Sequence, residues 1–66
     1  MLDWIRRAAG VYDGYRDGKY IYNIYQRWDG VWFLHICHTA EKIRSDTLRT
    51  CKEIAERRHR VENLQR

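Results

Sequence analysis

The stretch Tyr20–Cys37, YIYNIYQRWDGVWFLHIC, decides how the chain folds. Two runs rich in Tyr, Ile, Val, Trp and Phe suit a pleated surface, and Asp29-Gly30 between them supplies the positive φ of a tight reversal. The chain contains no proline to forbid pairing. A two-residue loop at Asp29-Gly30 would set Trp28 against Val31 and Ile24 against His35, scattering apolar residues over both faces. A three-residue loop, Trp28-Asp29-Gly30, with Gly30 left-handed in a G1 bulge, shifts the register by one. Ile24 then opposes Leu34, Tyr22 opposes Ile36 and Gln26 opposes Trp32, which makes one face a usable core. The other face carries Tyr25 opposite Phe33, Ile21 opposite Cys37, Asn23 opposite His35 and Arg27 opposite Val31. A slip of one residue exchanges the faces, so burial selects the second register.

Downstream, Asp46 to about Leu64 reads as a helix. Leu48, Cys51, Ile54, Ala55, Arg58 and Val61 fall on one stripe at 100° per residue. The stripe narrows toward the end, so the last turns should project beyond the core. Glu53 with Arg57 and Glu56 with Arg60 have the i,i+4 spacing of ion pairs. Between hairpin and helix, 39–45 leaves two alternatives. Thr39 caps a helix that runs on, or Lys42-Ile43-Arg44 is an edge strand and the helix begins at Ser45 or Asp46. The side chains of Ser-Asp-Thr bond orphan amides, which favours the later start.

Upstream, Leu2–Ala9 is expected to be a short helix capped by Asp3 and ended by Gly10. Too short to stand alone, it should lie over the second face of the hairpin and bury Ile21, Tyr25 and Phe33. Val11–Lys19, VYDGYRDGK, has two Asp-Gly pairs and reads as turns, with room for a brief third strand at Val11-Tyr12. The expected fold is α+β: a small antiparallel sheet of two or three strands on one C-terminal helix, with a short N-terminal helix, in one domain spanning 1–66.

With 66 residues, the core is one sheet face against one or two helices, leaving little room for a deep catalytic pocket. MLDWIRRAAG is not expected to be a signal peptide, and no run approaches a membrane span. Two cysteines without dense spacing suggest free thiols in a reducing, cytoplasmic setting. The net charge is +4, and ten of the thirteen basic residues are arginine, the side chain that forks onto phosphate and stacks on aromatic planes.

Neither metal nor cofactor is expected. Cys37, Cys51, His35, His38 and His59 have no ligand spacing, and the two cysteines fall on different sides of the expected sheet, which disfavours a disulfide. The chain has no phosphate loop, and Asp13, Asp17 and Asp29 read as turn carboxylates, so no enzyme is expected. The sharpest cluster is Arg57-Arg58-His59-Arg60, followed by Arg66. With Arg44, Arg49 and Lys52 it makes a basic helix able to neutralise phosphates, or merely a solvated face whose arginine stems cover apolar surface. Tyr25 and Phe33, with Arg27 and Asn23, would suit base stacking or a protein interface. The candidate binding residues are Arg27, Tyr25, Phe33, Arg49, Lys52, Arg57 and Arg60.

Tyr22-x-Ile24, Asp29-Gly30-x-Trp32-x-Leu34, Thr47-Leu48 and Ala55-Glu56 together resemble short phage and prophage proteins built as a small sheet followed by one helix. The resemblance implies an accessory protein that acts by binding, in the host cytoplasm if phage-encoded. The chain also distantly resembles the arm-binding module of tyrosine recombinases, which places its sheet on DNA. It lacks that module's regularly spaced basic strand residues; Arg27 is the only one in the hairpin. The expected partner is nucleic acid or a nucleoprotein complex. The alternatives are a phage-encoded inhibitor of a host defence system or host enzyme, acting by direct blocking, and a homo-oligomeric module, such as a homodimer, with Tyr25 and Phe33 at its seam.

Overall fold

The computed structural model describes residues 2–64, with side chains through 61. Arg66 and the side chain of Glu62 lie outside the described residues. Five strands precede one helix: β1 (Asp3–Ala8), β2 (Val11–Arg16), β3 (Lys19–Gln26), β4 (Trp32–Ile36), β5 (Glu41–Ser45) and α1 (Leu48–Leu64). The strands form one antiparallel meander in sequence order. The expected sheet of two or three strands is therefore corrected to five, and the expected N-terminal helix to a strand.

The β3–β4 hairpin has the register set by the three-residue loop. Tyr22 pairs with Ile36, Asn23 with His35, Ile24 with Leu34, Tyr25 with Phe33, and Gln26 with Trp32. Gly30 has φ +86°, its N–H donates to Arg27 O at 2.9 Å, and Arg27 N–H donates to Val31 O at 2.9 Å. Asp29 Oδ1 accepts from Val31 N–H at 3.2 Å, which ties the loop with its own side chain.

Leu2–Ala9 fails as a helix because its apolar residues also fit period two. Leu2 and Trp4 pack toward the core, while β2 offers Ile5 and its neighbours a ladder. A short helix would have had to dock without that gain. The two Asp-Gly pairs have opposite fates. Asp17-Gly18 turns the chain with φ of +51° and +78°, the mirror-type reversal that matches strand twist. Asp13-Gly14 lies inside β2, and both residues are buried. Between Gly14 and Tyr15 the β2–β3 register shifts, so that Tyr15 pairs with Tyr20 and Ile21 is the extra residue.

Residues 41–45 form the edge strand, and the helix starts two residues beyond Asp46. Thr47 is its N-cap: Thr50 N–H donates to Thr47 Oγ1 at 3.1 Å, and Cys51 N–H to Thr47 O at 3.3 Å. Helix α1 packs on β3, β4 and β5. Tyr22, Ile24, Leu34 and Ile36 from the sheet, Cys51 and Ala55 from α1, and Leu2 form the buried core. Cys51 and Ala55 are small and one turn apart, so the helix axis approaches the sheet closely. Full burial of Ile24, Leu34 and Ile36 is worth roughly 1.5–3 kcal/mol each. The buried face of the helix continues from Cys51 and Ala55 to His59, which is 5% exposed, whereas Val61, on the expected stripe, is 48% exposed. The carboxylate of Glu41 accepts from Arg58 Nη2 at 2.7 Å, pinning α1 to β5.

Candidate binding surfaces

The helix covers one face of the sheet, and no element of the described residues covers the other. The expected lid does not exist, because the segment assigned to it extends the sheet sideways as β1. Ile21, Tyr25 and Phe33 remain only half-buried.

Strand alternation and register lay out this open face in cross-strand rows. One row runs Ile5, Asp13, Asn23, His35, Lys42; the next runs Val11, Tyr25, Phe33, Arg44. Tyr25 and Phe33 stack with centroids 5.6 Å apart and planes 17° apart. The Arg27 guanidinium lies 5.3 Å from the Phe33 centroid and is held at 2.9 Å by Asp29, a cation–aromatic ladder at one end of the face. Arg44, read from sequence as part of the basic helix, is on β5 beside Phe33. With Lys42 it forms a basic border that was missed because 39–45 had no settled state. Period two along EKIRS is the signal that places both on this face.

At the other end, the Asp13 carboxylate is 2% exposed. It pairs with the Arg7 guanidinium and accepts from Asn23 Nδ2 at 3.0 Å, so its charge is compensated. It is a strand residue holding β1 to β3 across β2, not the turn carboxylate expected. Tyr20 joins this cluster. Loss of water contact, a hydrogen bond to Cys37 and the nearby Asp13 carboxylate push its phenol up to about 12, against a smaller opposing pull from Arg7.

On the opposite side, α1 lies over β3, β4 and β5, and a groove of about 720 Å³ opens between the helix and Trp4. Arg49, Lys52, Arg57 and Arg60 line it, together with Glu53 and Glu56. Much of this charge is engaged. Arg49 pairs with Glu53 at 3.1 Å, so Glu53 turns to Arg49 rather than to Arg57. Lys52 Nζ lies 4.9 Å from the Tyr12 ring centroid and 6.0 Å from that of Trp4. Glu56 accepts from Leu2 N–H at 3.2 Å. Arg57 and Arg60 form no ion pair among the described residues.

The seven candidate residues are thus divided between two faces: Arg27, Tyr25 and Phe33 on the open face, and Arg49, Lys52, Arg57 and Arg60 on the groove. One flat ligand cannot touch both sets. Among the described residues no helix is long and apolar enough to cross a membrane, and no group of three or more His, Cys, Asp or Glu side chains could hold a metal ion. Cys37 and Cys51 are free thiols. No protein family model, curated protein or solved structure matches this chain.

Proposed function

We propose that the protein binds single-stranded nucleic acid, without catalysis, on the open face of its sheet. The observation that carries this reading is the Arg27–Phe33–Tyr25 ladder beside the basic border of Lys42 and Arg44. Aromatic faces accept bases of any identity, and flanking cations follow the phosphates. Width argues for a single strand. Five strands at about 4.8 Å spacing span about 19 Å, more than the roughly 12 Å of a DNA major groove.

A labelled oligothymidylate or oligouridylate titrated at low salt tests the proposal by fluorescence anisotropy. Tyr25→Ala and Phe33→Ala should each weaken binding by about 5- to 150-fold, the range for loss of one stacking partner. Added salt should weaken it steeply. Arg57→Ala with Arg60→Ala, on the other face, should have the smaller effect. Absence of binding to any oligonucleotide at low salt removes the reading. Loss through the arginine pair alone would move the ligand to the groove.

A second reading has its own support. Ile5 is 55% and Tyr20 44% exposed, and with Val11 and Ile21 they make much of the same face apolar. Such a face also suits blocking of a protein target, the inhibitor alternative. That complex would be discrete, released by Tyr25→Ala, and little affected by salt.

A further inference from the structure

We propose that two copies of this chain pair through β1, antiparallel about a two-fold axis at Ile5, to join their sheets into one of ten strands. Strand β1 is an outer edge of the meander, and an unpaired edge is a template for another strand. Its free hydrogen-bonding groups can be assigned. Gln26 N–H donates to Gly10 O at 2.9 Å, so by alternation Tyr12 and Gly14 turn their backbone groups to β3, and Asp13 and Tyr15 turn theirs to β1. Asp13 pairs with Ile5 and Tyr15 with Asp3. The backbone groups of Trp4 and Arg6 therefore face outward.

A two-fold axis at Ile5 sets Trp4 against Arg6 of the second copy, a hydrogen-bonded pair on both sides of the axis. It sets Ile5 against its own counterpart at a non-hydrogen-bonded position, where side chains come closest. Ile5 is among the exposed large hydrophobic residues, at 55%, and this pairing covers it. The same register sets Asp3 against Arg7. Asp3 is exposed and forms no ion pair among the described residues. Arg7 binds Asp13 yet remains 62% exposed, and its fork has donors to spare. On the helix side, Arg6 of one copy meets the Trp4 indole of the other, a cation–π pairing. The Ile5 contact lies on the axis and occurs once; each of the others occurs twice, as an isologous interface requires.

The opposite edge lacks this self-complementarity. Antiparallel pairing of β5 with itself about Ile43 would set Lys42 against Arg44, like charges on the same face. Charge thus selects self-pairing of β1 over self-pairing of β5.

A six-residue strand pair makes a small interface, so the dimer should form and dissociate in the micromolar range. Sedimentation equilibrium should show a mass rising with concentration from 8.1 kDa toward twice that and no further. Asp3→Arg replaces two attractions by two repulsions and should weaken the dimer by about tenfold or more, with an unchanged circular dichroism spectrum. In mild oxidant, Ile5→Cys should give a covalent dimer, because the non-hydrogen-bonded spacing suits a disulfide. Trp28→Cys, at the 94% exposed hairpin tip, should remain uncrosslinked. A monomeric mass at the highest concentration, a dimer indifferent to Asp3→Arg, equal crosslinking of both cysteine variants, or a dimer lost through Tyr25→Ala alone would overturn the proposal.

Discussion

Gly14 lies beneath the indole of Trp4: a Cβ placed on it would come within 2.8 Å of Trp4 Cζ3 and 3.1 Å of Tyr22 Cβ. Glycine is required here for space rather than for backbone freedom. Gly14→Ala should push the indole off the sheet and cost about 1–3 kcal/mol, read by urea unfolding together with a shift in tryptophan emission. In a Trp4→Ala background the same change should cost clearly less, because the larger of the two obstacles is gone. Additive losses would show that Trp4 and Gly14 are not coupled.

Breaking the Arg7–Asp13 pair strands a carboxylate that is 2% exposed, with the amide of Asn23 still bonded to it. Arg7 itself is mostly in water, so screening reduces the worth of the pair. Arg7→Ala should cost about 1–2 kcal/mol by denaturant unfolding. Asp13→Asn with Arg7→Ala should recover part of that loss, since no buried charge remains. A double variant less stable than Arg7→Ala would rule out charge burial as the cause.

Tyr20 should be among the last tyrosines to ionise. Its folded pKa, about 12, lies above the ordinary 10.0, so the fold favours the neutral phenol. The stabilisation from this group is present below pH 10 and is lost as pH rises from 10 toward 12. Ultraviolet titration of tyrosinate should show a late phase that Tyr20→Phe removes. Persistence of that phase in the variant would assign it to another tyrosine.

The two thiols should differ in reactivity. Cys51 is fully buried, and burial raises its pKa despite an opposing hydrogen bond from Ser45, which leaves little thiolate. Cys37 is only half-buried. Alkylation at mildly alkaline pH should modify Cys37 first, and Cys51 only at the rate of unfolding. Equal rates in the native state, read by mass spectrometry, would contradict the packing of α1.

Part of the fold was legible in local chemistry. Asp29-Gly30 and the alternation from Tyr22 to Ile36 identify the central hairpin and its buried face, because a one-residue slip would exchange core for solvent. Thr47, Cys51 and Ala55 mark the helix and the stripe it turns inward. VYDGYRDGK was misread because Asp-Gly is a turn signal wherever it occurs. Nothing adjacent in the chain tells that Gly14 must admit Trp4, or that Asp13 meets Arg7 and Asn23. Leu2–Ala9 satisfied a helical pattern and a strand pattern at once, and only the neighbouring strand decided between them.

The same division applies to the candidate surfaces. Tyr25, Phe33 and Arg27 could be grouped from sequence, because one hairpin holds them and its register follows from its own turn. Arg49, Lys52, Arg57 and Arg60 could be grouped because one helix carries them. What the sequence determined by itself was each group separately, through contacts between residues close in the chain. The tertiary structure alone decided that the groups lie on opposite sides of a five-stranded sheet, that β1 forms an edge rather than a lid, and that one face stays open. Those outcomes depend on pairing between distant segments, whose benefit appears only once the whole meander is assembled.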